Sequence, residues 1–164
     1  MTAVVPGSFD PFTLGHLDLV RRAQRLFGRV LVAVGRNAAK DYLFSAEERL
    51  ELARVSCVGL PGVAVLPMTG LLVDFCRAHD VDVIVKGARS GRDFEAELGM
   101  AQMNASLAGV ETVVAPASPA WGFVSSGLVR QVARGGASVE EYVPVAVFDY
   151  WRRAGHADAA AESN

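Results

Sequence analysis

Five short apolar runs rich in β-branched residues alternate with helical patterns along this chain, and few folds accommodate such an alternation. The runs cover residues 2–5, 29–34, 62–66, 81–85 and 110–115. The second, Arg-Val-Leu-Val-Ala-Val ending at Gly35, is continuously apolar after its arginine, as a strand covered on both faces should be. Strand–helix–strand units of this kind close by right-handed crossovers. The expected fold is therefore α/β: a single-domain, Rossmann-like, doubly wound five-stranded parallel sheet with helices on both faces. No repeat or linker divides it. Residues 1–153 should form one domain, with 154–164 a small, polar and disordered tail.

The helices carry their own start signals. Ser45 and Glu48 form a capping box, and the helix they open should turn Leu50, Ala53 and Cys57 inward and stop before Gly59. Helices are also expected over 71–78, over 93–108, after Ser125-Ser126, and over 139–153. Along 93–108, Phe94, Leu98, Ala101, Ala105 and Ala108 make one apolar stripe, and Ala96, Met100, Met103 and Leu107 a second beside it. One stripe can face the sheet; so wide a face calls for another partner, and self-association is the expectation.

At 164 residues and 51% apolar content the chain can bury an ordinary core. A net charge of −2 gives no general field for nucleic acid, so a phosphate would have to be met by local Lys and Arg. Cys57 and Cys76 lie in apolar helical patterns and read as small buried hydrophobes in a reducing compartment. No basic leader precedes an apolar core, and no apolar run reaches the ~18 residues of a membrane span. A soluble, cytoplasmic protein with no membrane partner is expected.

Ligands of open parallel sheets gather beyond the carboxyl ends of the strands. The loops at that edge hold Ser8 and His16, then Lys40, then Lys86 and Arg89, then 121–126. The first of them is Pro6-Gly7-Ser8-Phe9-Asp10-Pro11-Phe12-Thr13-Leu14-Gly15-His16, a glycine- and proline-rich turn feeding a helix whose Leu17, Val20, Ala23 and Phe27 share a face. Free amides and the positive dipole end of that helix suit a phosphate, with the His16 imidazole in the first turn beside them. Gly7 and Gly15 would let a nucleotide approach the backbone. The set holds amides, an imidazole and cations but no evident nucleophile–base pair. It fits phosphoryl or nucleotidyl transfer by positioning and charge stabilisation.

The segment Gly7-Ser8-Phe9-Asp10-Pro11 with Thr13-Leu14-Gly15-His16 resembles the G-(S/T)-F-D-P-x-T-x-G-H signature of the nucleotidyltransferase superfamily. Within it the chain is most similar to the bacterial phosphopantetheine adenylyltransferases, over roughly residues 4–150. The resemblance implies AMP transfer from ATP to 4′-phosphopantetheine, giving dephospho-coenzyme A and pyrophosphate, with Mg²⁺ accompanying ATP and a homohexameric assembly. It implies that His16 stabilises the transferring phosphoryl group, with Lys40 and Arg89 as the other catalytic cations. Ser8, Phe9, Gly87, Ala88, Arg89, Glu97 and the stretch Trp121, Gly122, Phe123, Val124, Ser125, Ser126 and Gly127 would bind ATP along with His16. Ser8, Lys40, Leu72 and Lys86 would bind the acceptor. Three positions depart from the family pattern: Lys86 stands where Arg is usual, Gly127 replaces the last of three serines, and Ala96 replaces a common aromatic. The competing assignments are a nucleotidyltransferase for nicotinamide mononucleotide or a polyol phosphate, and a catalytically silent nucleotide-binding regulatory subunit.

Overall fold

The computed structural model describes residues 1–36 and 41–154. Lys40 and the expected tail 154–164, apart from Ala154, lie outside the described residues. All five expected strands form: β1 (Thr2–Gly7), β2 (Arg29–Val34), β3 (Val63–Pro67), β4 (Val83–Ala88) and β5 (Glu111–Pro116). They make one parallel sheet in the order β3-β2-β1-β4-β5. Among the described residues six α-helices accompany them: α1 (Leu14–Phe27), α2 (Ala46–Ser56), α3 (Leu72–Ala78), α4 (Gly91–Ala108), α5 (Ser126–Arg134) and α6 (Val145–Arg153).

Alternate residues of each strand serve opposite faces. Ala3 and Val5 of β1, with Val30, Val32 and Val34 of β2, pack with Leu17, Leu52, Val129 and Trp151 from α1, α2, α5 and α6. Val4, Leu31, Ala33 and Ile84 face the other way, against Phe75 and Cys76 of α3 and Val110, with Ala108 of α4 at the margin. The sheet is doubly wound as expected, and both cysteines are buried and free. Burial raises the Cys57 thiol to about 11, the Arg21 charge opposing this only in part.

The sheet has one weak join. β1 and β2 stay in register from Thr2↔Arg29 to Gly7↔Val34, and β4 follows β5 from Val83↔Glu111 to Ala88↔Pro116. β1 and β4 pair at Ala3↔Val83 and Val4↔Ile84 and then part. The strand order reverses at the same place, so a crevice opens above β1 at the carboxyl edge.

Several expectations need correction. Lys86-Gly87-Ala88 is the end of β4, held by β5, and not a loop. The expected helix over 139–153 is a short 3₁₀ turn (Glu140–Tyr142) followed by α6, because Pro144 has no N–H and stands as the N-cap of α6. In α2 the buried residues are Arg49, Leu52 and Ala53, with Leu50 only half-buried. In α4 Phe94 and Leu98 are exposed; Ala101, Asn104, Ala105 and Ala108 take the inner side.

Candidate active site

The Gly7–His16 loop leaves β1 and enters α1 through Thr13, whose Oγ1 accepts from the His16 backbone N–H at 3.3 Å. His16 stands at N3, where a capping box usually has Glu or Gln. Its Nδ1 accepts from the Thr13 backbone N–H at 3.0 Å. A backbone N–H can only donate, so Nδ1 carries no proton and the neutral ring holds its proton on Nε2. Burial, and then the nearby Arg89 charge, lower the imidazole from 6.5 to about 4. The ring packs edge-on to Phe9 at 5.0 Å and beside Phe12 at 5.5 Å, which fixes its plane. His16 is thus a neutral N–H donor at a helix start.

Gly7 has a local reason to be glycine. A Cβ there would lie 2.8 Å from the Phe9 ring, which folds back over it, so the space expected for a nucleotide is taken by the protein's own side chain. A Cβ at Gly15 would meet nothing closer than 3.6 Å.

Asp10 is the hub that sequence reasoning passed over. It is buried, and its carboxylate accepts from Leu43 N and Phe44 N, each at 2.9 Å. Arg130 of α5 pairs with it at 3.3 Å and donates to its backbone carbonyl. Ser126 Oγ donates to Pro11 O at 2.8 Å, and Ser125 caps α5 by accepting from Leu128 N at 3.1 Å. The signature loop is therefore bolted to two neighbouring loops. The F-D-P triplet was in view, but nothing local says that an aspartate will take amides 33 and 34 residues away.

These elements enclose a cavity of about 670 Å³. Of the expected residues it brings together Ser8, Phe9, His16, Lys86, Gly87, Arg89, Glu97, Trp121, Val124, Ser125, Ser126 and Gly127. Ala88, Leu72, Gly122 and Phe123 are not on its wall. Leu72 packs beside Leu66 and Met68 on the other core, and Phe123 is exposed with its ring 6.0 Å from Tyr142. Lys40, expected to bind the acceptor, is outside the described residues. Asp18, Arg22, Tyr42 and Arg130 line the cavity without having been expected.

The cations on the wall have exchangeable partners. Lys86 Nζ meets Glu97 Oε1 at 3.1 Å, and Arg89 Nε meets Asp93 Oδ2 at 2.9 Å. The Arg89 backbone N–H, with its guanidinium, holds the Asp93 carboxyl below its usual range. Both pairs are part-exposed, where ion pairs are worth about 0–1 kcal/mol, so a polyphosphate can replace the carboxylates at little expense. A site of this make-up can grip a triphosphate and steady charge on a transferring phosphoryl group.

Residues 4–132 match the cytidylyltransferase-like family model. The chain is 57% identical to a phosphopantetheine adenylyltransferase of a Nocardioides species over 145 residues, covering 88% of this chain and 91% of that one. This chain belongs to the phosphopantetheine adenylyltransferase family. Other members compare similarly: 49% identity with the Streptomyces coelicolor protein over 90% of this chain and 92% of that one, and 45% with the Cutibacterium acnes protein over 88% and 92%. A lipopolysaccharide core biosynthesis protein of Thermoplasma volcanium shares the fold, with a TM-score of 0.53 at 24% identity over 72% of this chain and 96% of that one. Against the family signature, the Gly127 departure is sterically idle, since a Cβ there would meet nothing within 4 Å.

Proposed function

We infer that this protein transfers AMP from ATP to 4′-phosphopantetheine, producing dephospho-coenzyme A and pyrophosphate. The observation that carries the reading is the neutral, Nε2-protonated His16 at the start of α1, in one cavity with Lys86, Arg89 and the start of α5. In the proposed reaction the acceptor phosphate attacks the α-phosphorus of ATP in line, and the bond to the β,γ-diphosphate breaks. His16 donates to an α-phosphoryl oxygen as negative charge develops there. Arg89 and the α5 amides hold the leaving pyrophosphate, and Ser8, Lys40 and Lys86 orient the acceptor. Lys86 meets its phosphate as a point charge, without the planar fork of an arginine.

Of the carboxylates on the cavity wall, Asp10 is held by two amides and Arg130, Glu97 by Lys86 and Asp18 by Arg22 at 3.5 Å. That donor set suits a Mg²⁺ carried in on the triphosphate and held mainly by phosphate oxygens and water, where it offsets charge on the leaving group. Self-association through α4 belongs to the same reading: Met100, Met103 and Leu107 are 58%, 54% and 50% exposed beside Phe94 and Leu98. Among the described residues no helix is long and apolar enough to cross a membrane. The decisive assay is pyrophosphate release with ATP and 4′-phosphopantetheine, set against nicotinamide mononucleotide and a polyol phosphate. Turnover confined to 4′-phosphopantetheine is the expected result, and preference for another acceptor refutes it.

A further inference from the structure

Arg49 on α2 is only 2% exposed, a costly place for a guanidinium unless the charge has work there. Its Nη1 donates to Ser8 O at 2.6 Å and to Gly35 O at 2.7 Å, so one nitrogen ties the carboxyl ends of β1 and β2 to α2. Gly35 N in turn donates to Gly7 O at 2.9 Å. The Tyr42 ring lies over the guanidinium at 4.1 Å from its centroid, and the Tyr42 hydroxyl is 3.3 Å from Ser8 Oγ. Arg49 Nε has no partner among the described residues.

The peptide that Arg49 grips joins Ser8 to Phe9, and among the described residues the one cis bond is Asp10–Pro11. In a trans peptide the C=O and N–H point in opposite directions. Drawing the Ser8 carbonyl toward α2 therefore turns the Phe9 N–H away from α2. That N–H has no protein acceptor among the described residues, and Phe9 itself lines the cavity. Phe9 adopts φ +53°, a left-handed conformation that a bulky residue keeps only when its surroundings enforce it. A cation on the carbonyl also polarises the amide and strengthens its N–H as a donor.

We propose that Arg49 is a positioning residue that sets the Ser8–Phe9 peptide so that its N–H meets a phosphate oxygen of the nucleotide. This rests on the cavity being the nucleotide site, as read above, but not on the identity of the acceptor.

The test combines Arg49→Met and Arg49→Lys with selective ¹⁵N-phenylalanine labelling, using the full chain and ATP as the probe. In the unmutated protein the Phe9 amide resonance should move downfield as ATP is added without acceptor. In Arg49→Met that shift should vanish, and kcat should fall about 30-fold or more, as for loss of a transition-state donor, with the acceptor KM changed less than about threefold. Arg49→Lys keeps one cationic donor and should recover part of both. A merely structural arginine would lower the melting temperature without that split. An unmoved Phe9 amide at saturating ATP in the unmutated protein overturns the proposal, as does turnover within about twofold of normal in Arg49→Met. If Arg49→Met fails to fold, Arg49→Lys and the Phe9 resonance decide. ATP-dependent movement of Phe9 without pyrophosphate release on 4′-phosphopantetheine would refute the acceptor reading and leave this proposal standing.

Discussion

Replacing His16 by alanine and, separately, by glutamine distinguishes a neutral hydrogen-bond donor from an acid–base catalyst. With the imidazole at about 4, roughly one ring in a thousand is charged at pH 7, against about one in four for an unperturbed histidine. The displacement from 6.5 corresponds to about 3 kcal/mol against the imidazolium. The folded value lies below the unfolded one, so the unfolded chain binds the extra proton between pH 6.5 and 4, and stability falls as pH drops through that window. Alanine removes the donor and should lower kcat by about 10²–10³-fold. Glutamine places an amide N–H near the Nε2 position and should lose only about tenfold, because a donor needs no particular pKa. ATP affinity should fall little in either variant. The assays are pyrophosphate release across pH and an NMR titration of the unliganded ring. A titration midpoint near 6.5, or a glutamine variant no better than alanine, refutes the donor role.

Two further outcomes test the framework around that ring. Asp10→Asn keeps one acceptor oxygen but leaves a buried amide and Arg130 unmatched, for about 2–3 kcal/mol, or a melting temperature lowered by about 4–12 °C; calorimetry showing a drop under about 2 °C would count against the hub assigned to Asp10. Met103→Glu, on the exposed face of α4, should turn any assembly seen by light scattering into smaller species while the isolated fold stays intact by circular dichroism, and an unchanged mass would exclude that face as the contact.

Most of the scaffold and part of the site were legible in sequence, for identifiable reasons. Continuous β-branched runs such as 29–34 have one comfortable home, between two helical layers, and the structure puts them there. The place of His16 at a helix start was legible because a glycine-rich turn and an amphipathic helix flank it, whereas a role for it came from the resemblance to the signature. Arg49 was not, because an arginine in a helix reads as solvated unless its partners are known. Those partners are backbone carbonyls 41 and 14 residues distant, invisible to any local spacing. The extension of β4 through Lys86-Gly87 was hidden likewise, since neither residue favours a strand and only pairing with β5 holds them there. Pro144 is different: the break it makes between the 3₁₀ turn and α6 could have been read from the residue alone.

The early parting of β1 from β4 divides the working rim into two banks. One is anchored on the β3-β2-β1 side and the other on the β4-β5 side, with little backbone bonding between them at that height. What joins the banks there is side-chain bonding, Arg130 to Asp10 and Ser126 to Pro11. Breaking those few bonds, without disturbing the sheet, would free the two shores to shift against each other.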